Sequence, residues 1–189
     1  GEALELVRSN YVKYAITDLD QDQKKELMVL RSDNQGEGVA EYYSWQDSGL
    51  LPTSTIRISI TMAELSQQGR IVSGVLRDEV PALFITGVAE NAEAITDILT
   101  VRDGELTNVV LSNMTGVSQV IAPFRSLYPS DMNNDGVTEV PQPVKMPGWG
   151  SGVTSDDGYR IDWYSYDSNG KGKIVMRTYH DMESGWYFQ

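Results

Sequence analysis

The sequence predicts an all-β chain, a β-propeller-like array of about three four-stranded blades, and two observations predict it. Short runs of alternating apolar and polar residues are separated by turns rich in Gly, Asp and Asn, and the chain matches itself at a period near 56 residues. A shift of 56 sets Leu27-Met28-Val29 on Leu83-Phe84-Ile85, Trp45 on Val101, Asp47 on Asp103 and Leu50 on Leu106. A shift of 113 sets Asp18 on Asp131 and Glu26 on Glu139. With eight further residues inserted, Glu41-Tyr42-Tyr43-Ser44-Trp45 lands on Asp162-Trp163-Tyr164-Ser165-Tyr166, and Gly49 on Gly170. Residues 1–10 are a lead-in and 11–189 one β-repeat domain, with repeats of about 11–66, 67–122 and 123–189. A closed propeller needs at least about four blades, so three form a piece of a larger one or an open stack. A β-sandwich of about a dozen strands is the alternative, disfavoured because sandwiches need no common period.

Taken in order, Tyr11–Ile16 and Glu26–Leu30 alternate as strands on either side of an acidic loop. Asp33-Asn34-Gln35-Gly36-Glu37-Gly38 is turn chemistry, with glycine supplying positive φ. Val39–Gln46, rich in aromatic residues, and Ser54–Ile60 flank the turn Asp47-Ser48-Gly49, giving four strands before residue 61. Thr61–Gln68 suits a single helical turn. In the second repeat Pro81 enters a strand. In the third, Lys145–Gly152 is an inserted loop. Tyr159–Asp167 and Lys173–His180 form a hairpin around Asp167-Ser168-Asn169-Gly170, and Gly185–Gln189 starts a further strand.

Composition removes several function classes. A net charge of −12 argues against nucleic-acid binding. The chain has no cysteine, which excludes thiol catalysis, zinc thiolates and disulfides within it. No stretch approaches the roughly 18 apolar residues of a membrane span. The start at Gly1-Glu2-Ala3 reads as a processed or truncated chain whose targeting segment lies elsewhere.

The clearest chemical signature is Asp131-Met132-Asn133-Asn134-Asp135-Gly136-Val137-Thr138-Glu139, with a copy at Asp18-Leu19-Asp20-Gln21-Asp22-Gln23-Lys24-Lys25-Glu26. Calcium takes six to eight oxygen ligands, and a tight loop supplies them from alternate positions. Asp131, Asn133, Asp135, the Val137 carbonyl and Glu139 are one candidate set; Asp18, Asp20, Asp22, the Lys24 carbonyl and Glu26 are the other. Gly136 permits the sharp turn, whereas Gln23 at the same place costs roughly 1 kcal/mol. In the second repeat Gly74, Leu76 and Ala82 stand at the places of Asp18, Asp20 and Glu26, and only Asp22 keeps an acid, at Asp78, so no ion site is expected there. The same Asp and Asn side chains also cap their own turns without any ion. An EF-hand is excluded, because its twelfth position needs glutamate and here holds Val29 or Gln142.

The nine-residue pattern at a strand junction resembles the FG-GAP/VCBS-type repeats of integrin-like propellers. The third repeat, with Ile161–Asp167 and Ser184-Gly185-Trp186-Tyr187, is also similar to bacterial secreted lipoproteins built from such repeats. The resemblance covers most of residues 11–189. It implies a propeller-like fold and an extracellular or cell-surface location, with a lipid anchor elsewhere in the full-length protein. Gln23 and the erased second loop depart from the family pattern.

Nothing marks an enzyme. His180 is the only histidine, and Gly148-Trp149-Gly150-Ser151-Gly152 lacks the first glycine of a nucleophile elbow. Tyr42, Tyr43, Trp45, Trp163, Tyr164 and Tyr166 occupy equivalent strands, so alternate members face a core and a rim. Trp149 or Trp163, if exposed, suits stacking on sugar rings. The expected role is a non-enzymatic binding or adhesion module with structural calcium and an unknown protein or glycan ligand. A carbohydrate-binding module is the alternative, and a hydrolase with acidic catalysts the third reading.

Overall fold

The computed structural model describes residues 12–67, 69–88, 94–109, 127–146, 158–180 and 187–188. They form three antiparallel four-stranded sheets and one short helix. The first sheet is a meander of β1 (Val12–Thr17), β2 (Glu26–Ser32), β3 (Gly38–Gln46) and β4 (Gly49–Arg57). The helix α1 (Met62–Gln67) follows. Its start is fixed by a reciprocal cap, in which Thr61 N–H donates to Glu64 Oε2 at 2.8 Å and Glu64 N–H to Thr61 Oγ1 at 3.3 Å. The second sheet takes β5 (Arg70–Val75), β6 (Pro81–Val88), β7 (Ala94–Arg102) and β8 (Glu105–Asn108). The third takes β9 (Glu139–Met146), β10 (Gly158–Tyr166), β11 (Gly172–His180) and β12 (Tyr187–Phe188).

The third sheet begins one strand later than the sequence suggests. By the repeat shift β9 is the counterpart of β2, not of β1. The counterpart of β1 is reduced to a bridge between Ser130 and Glu139, matching the pair Thr17 and Glu26. The fourth place is taken on the opposite edge by β12, which pairs Tyr179 with Phe188 and His180 with Tyr187. Lys145 and Met146, expected in the inserted loop, extend β9; Pro147–Gly152, including Trp149, lies outside the described residues, as do Gly185, Trp186 and Gln189.

Register preserves the repeat in detail. β3 slips against β4 between Tyr42 and Tyr43, and β10 against β11 between Trp163 and Tyr164. These are the same two repeat positions, and a bulge there turns the following side chains. Proline respects the edges: Pro52 lies in β4, and Pro141 and Pro143 in β9, all strands with a single neighbour.

Each sheet offers two apolar faces. A forward face in the first sheet carries Met28, Leu30, Ala40 and Tyr42. It packs on the rear face of the second sheet, at Leu83, Ile85, Leu99 and Leu106, with Leu19, Ile58, Ile60, Met62 and Leu65 closing the layer. The forward face of the second sheet, Ala82, Phe84 and Ile98, packs in turn on Val140 and Tyr166 of the third. Each fully buried Leu, Ile, Met or Phe side chain in these layers contributes about 1.5–3 kcal/mol. The forward face of the third sheet, Ile161, Trp163 and Met176, gathers Tyr159, Val88, Leu127 and Met132. The aromatic alternation therefore sorts as the strand period demands. Tyr42 and Trp163 are core residues, while Trp45 stands 53% exposed. Trp163, offered by the sequence as a sugar platform, is 4% exposed, and its Nε1 donates to Thr178 Oγ1 at 3.0 Å.

Candidate metal centre

The loops at Asp18 and Asp131 share one backbone design. The first-position aspartate accepts the sixth-position N–H: Gln23 N donates to Asp18 Oδ2 at 3.1 Å, and Gly136 N to Asp131 Oδ2 at 2.9 Å. The fifth-position aspartate accepts the seventh-position N–H, from Lys24 to Asp22 Oδ1 and from Val137 to Asp135 Oδ1, both at 2.8 Å. The glutamate at the ninth position reaches back to the second, accepting Leu19 N at Glu26 Oε2 (3.1 Å) and Met132 N at Glu139 Oε2 (2.9 Å). Positive φ falls at matching places: Gln21 at 63° and Gln23 at 70°, Asn134 at 58° and Gly136 at 88°. Gln23 thus adopts the left-handed conformation that its glycine counterpart takes without steric cost.

The two loops differ in how they spend their oxygens. In the third loop Asp131 accepts N–H groups on both carboxylate oxygens. Asn133 accepts Asp135 N and donates its amide to Asp135 Oδ2. Among the buried side-chain oxygens of this loop only Glu139 Oε1 lacks a hydrogen-bond partner. In the first loop carboxylate oxygens of Asp18, Asp20, Asp22 and Glu26 all lie within 4.8 Å of one another. Asp18 Oδ1 is buried and unpartnered. Tyr42 O–H donates to Asp20 Oδ2 at 3.2 Å, and Lys24 Nζ pairs with Asp22 Oδ2 at 3.2 Å.

Like charges so close repel by about 1 kcal/mol per pair even at the dielectric of water. Burial, then the charges of Asp20, Asp18 and Asp22, raises the Glu26 carboxyl above the ordinary glutamate value. Burial, with Asp135 and Asp131, does the same to Glu139. Burial and the neighbouring Glu26 and Asp20 charges also push the Tyr42 hydroxyl up. A proton or a cation relieves each site. The sequence favours the third loop for its glycine, whereas the geometry gathers carboxylates in the first. Among the described residues no other group of acids is drawn together this way.

The second repeat keeps the turn and loses the chemistry. Glu79 takes positive φ, 64°, at the position of Gln23 and Gly136. Asp78 instead receives Ser168, from its N–H at 3.1 Å and its hydroxyl at 2.6 Å. Burial alone would raise the Asp78 carboxyl; the Ser168 hydrogen bonds hold it below the usual range. Arg77 completes a strap to the β10–β11 turn, donating to Asp167 Oδ2 at 2.9 Å and to the Lys171 carbonyl at 3.2 Å.

A second set of acids is related by the repeat, and its burial and partners are visible only in the structure. Glu41, Asp97 and Asp162 fall at the same repeat position, on β3, β7 and β10. Glu41 takes Arg31 Nε at 2.9 Å. Asp97, buried, takes Ser59 N at 2.7 Å and Asn108 Nδ2 at 2.8 Å. Asp162, also buried, is gripped by Arg160 at 2.7 and 2.9 Å. The shift of 56, and the shift of 113 with the eight inserted residues, relate the three positions. A cavity of about 630 Å³ lies beside the third loop, between β5, Leu127–Met132 and the Ile161–Trp163 face, with Asp131 its one acidic lining residue. A smaller one of about 360 Å³ holds Asp20 and Asp103. No family model, curated protein or solved structure matches the chain.

Proposed function

We propose that the chain is a non-enzymatic binding module that works outside the cell or at its surface, with a structural calcium ion in the Asp18 loop. The observation that carries the ion is the convergence of Asp18, Asp20, Asp22 and Glu26 within 4.8 Å, with one buried oxygen left unpartnered. An all-oxygen set in a tight loop without histidine or cysteine suits a hard cation, and calcium tolerates its irregular geometry better than magnesium. Asp18, Asp20, Asp22, Glu26 and the Lys24 carbonyl would hold it, with Lys24 Nζ released from Asp22. Asp131, Asn133, Asp135, the Val137 carbonyl and Glu139 form the second, weaker site. Such an ion neutralises the loop and pins the β1–β2 turn; it performs no chemistry.

The forward-on-rear packing of consecutive meanders supports a propeller-like array over a sandwich, whose two sheets would share one core. A rigid scaffold with clustered turns suits recognition by loops, of a protein or a glycan. The ion is tested by thermal unfolding with millimolar calcium and with a chelator. Calcium is expected to raise the melting temperature, and Glu26→Gln, which keeps an acceptor for Leu19 N, to remove most of the rise. Identical melts in both conditions would overturn the assignment.

A further inference from the structure

We propose that β1 is a self-association edge, to which a second copy of this chain adds its own Val12–Thr17, antiparallel, across a two-fold axis. An unpaired strand edge is a template for another strand unless something blocks it. Among the described residues the other edges are interrupted by proline, short, or occupied at one end, and β12 has only two residues. Pro52 interrupts β4, Pro141 and Pro143 interrupt β9, and the edge of β11 is taken by β12. The end of β5 is capped where Thr138 N donates to the Val75 carbonyl at 2.9 Å, and β8 is four residues long, with Leu106 N bound to Ser54 Oγ at 3.0 Å. β1 has six residues without proline, glycine or bulge, and no strand on its outer side among the described residues.

Its side chains point the same way. Tyr14 is 67% and Ile16 58% exposed, on the rear face that also carries the exposed Trp45. In the second sheet Ile71, which pairs with Ile85 as Tyr14 pairs with Val29, and Val101, the counterpart of Trp45, both pack against the core. A two-fold axis at Ala15 sets Tyr14 opposite Ile16 of the other copy and Lys13 opposite Thr17. Aromatic and β-branched residues then meet in favourable cross-strand pairs, and no like charges oppose. Tyr14 and Ile16 with the paired edges offer a contact of roughly a few hundred Å² per copy, smaller than a stable specific interface. The dimer is therefore reversible. Because each copy carries a charge of −12, it tightens as salt rises.

Sedimentation velocity over a concentration series, at about 0.15 M and about 1 M salt, is expected to give a monomer–dimer equilibrium stronger at high salt. Ile16→Lys, on an exposed position, should raise the dissociation constant at least about tenfold with an unchanged circular dichroism spectrum. Val175→Lys, at another exposed apolar site, should leave it unaltered. Since the chain has no cysteine, Ala15→Cys tests the axis directly, and mild oxidation should cross-link the dimer. A monomer at every concentration and salt, a dimer indifferent to Ile16→Lys, or a dimer that Ala15→Cys fails to cross-link overturns the proposal.

Discussion

Glu26 and Glu139 close the two acidic loops from beneath, one 2% exposed and the other fully buried. Each has its carboxyl raised above 4.5, burial first and neighbouring aspartates second. A raised acid binds its proton more tightly in the folded state, so its contribution favours folding at low pH and is lost as pH rises through the raised value. The lowered aspartates, Asp22, Asp33 and Asp78, act below 3.8, in a separate window. With a chelator present, urea unfolding should therefore show stability falling as pH climbs above 4.5. The fall should shrink in Glu26→Gln and in calcium; a flat profile would count against both strained glutamates. Gln23 offers a second test at this scale. Its φ of 70° stores strain that glycine lacks, so Gln23→Gly should stabilise the chain by up to about 1 kcal/mol in the same assay. No gain would mean that the loop does not hold Gln23 in that conformation.

Loops as well as sheet faces join the elements. Thr138, buried, lies against Gly74 of β5, where an added Cβ would approach Thr138 Oγ1 to 2.1 Å. The acidic loop is thereby seated on the second sheet. Gly74→Ala should cost about 1–3 kcal/mol by overpacking and weaken calcium's effect on Glu139. Wild-type stability in that variant would show that the loop shifts freely. Strands were largely legible because alternation and turn chemistry agree: β10, β11 and the helix at Thr61 stand close to their expected places. The contact at Gly74 was not legible, since nothing local in Arg70–Val75 tells a glycine wanted for turning from one wanted for close approach. Nor was the preference for the Asp18 loop. It depends on Tyr42 reaching Asp20 from another strand and on which oxygens the backbone consumes.

At the scale of the whole molecule the period carried most of the information. Repetition placed three sheets, matched two bulges and exposed one worn-out loop. It misjudged the third sheet, because the shift aligns residues and says nothing about which edge a strand joins. The aromatic pairs were half legible: strand period fixes that Tyr42 and Tyr43 diverge, but burial of Trp163 needed the neighbouring segment Leu127–Met132.

The packing order has a further meaning. Forward face meets rear face twice in succession, through residues that correspond under the repeat shift. Removing the middle sheet would bring Tyr42's face against Val140 and Tyr166, which stand where Leu83 and Val101 stood. The joints are interchangeable, like those of identical links. Nothing in such a stack sets a preferred number of members, so evolution can lengthen or shorten it one whole repeat at a time without inventing a new interface.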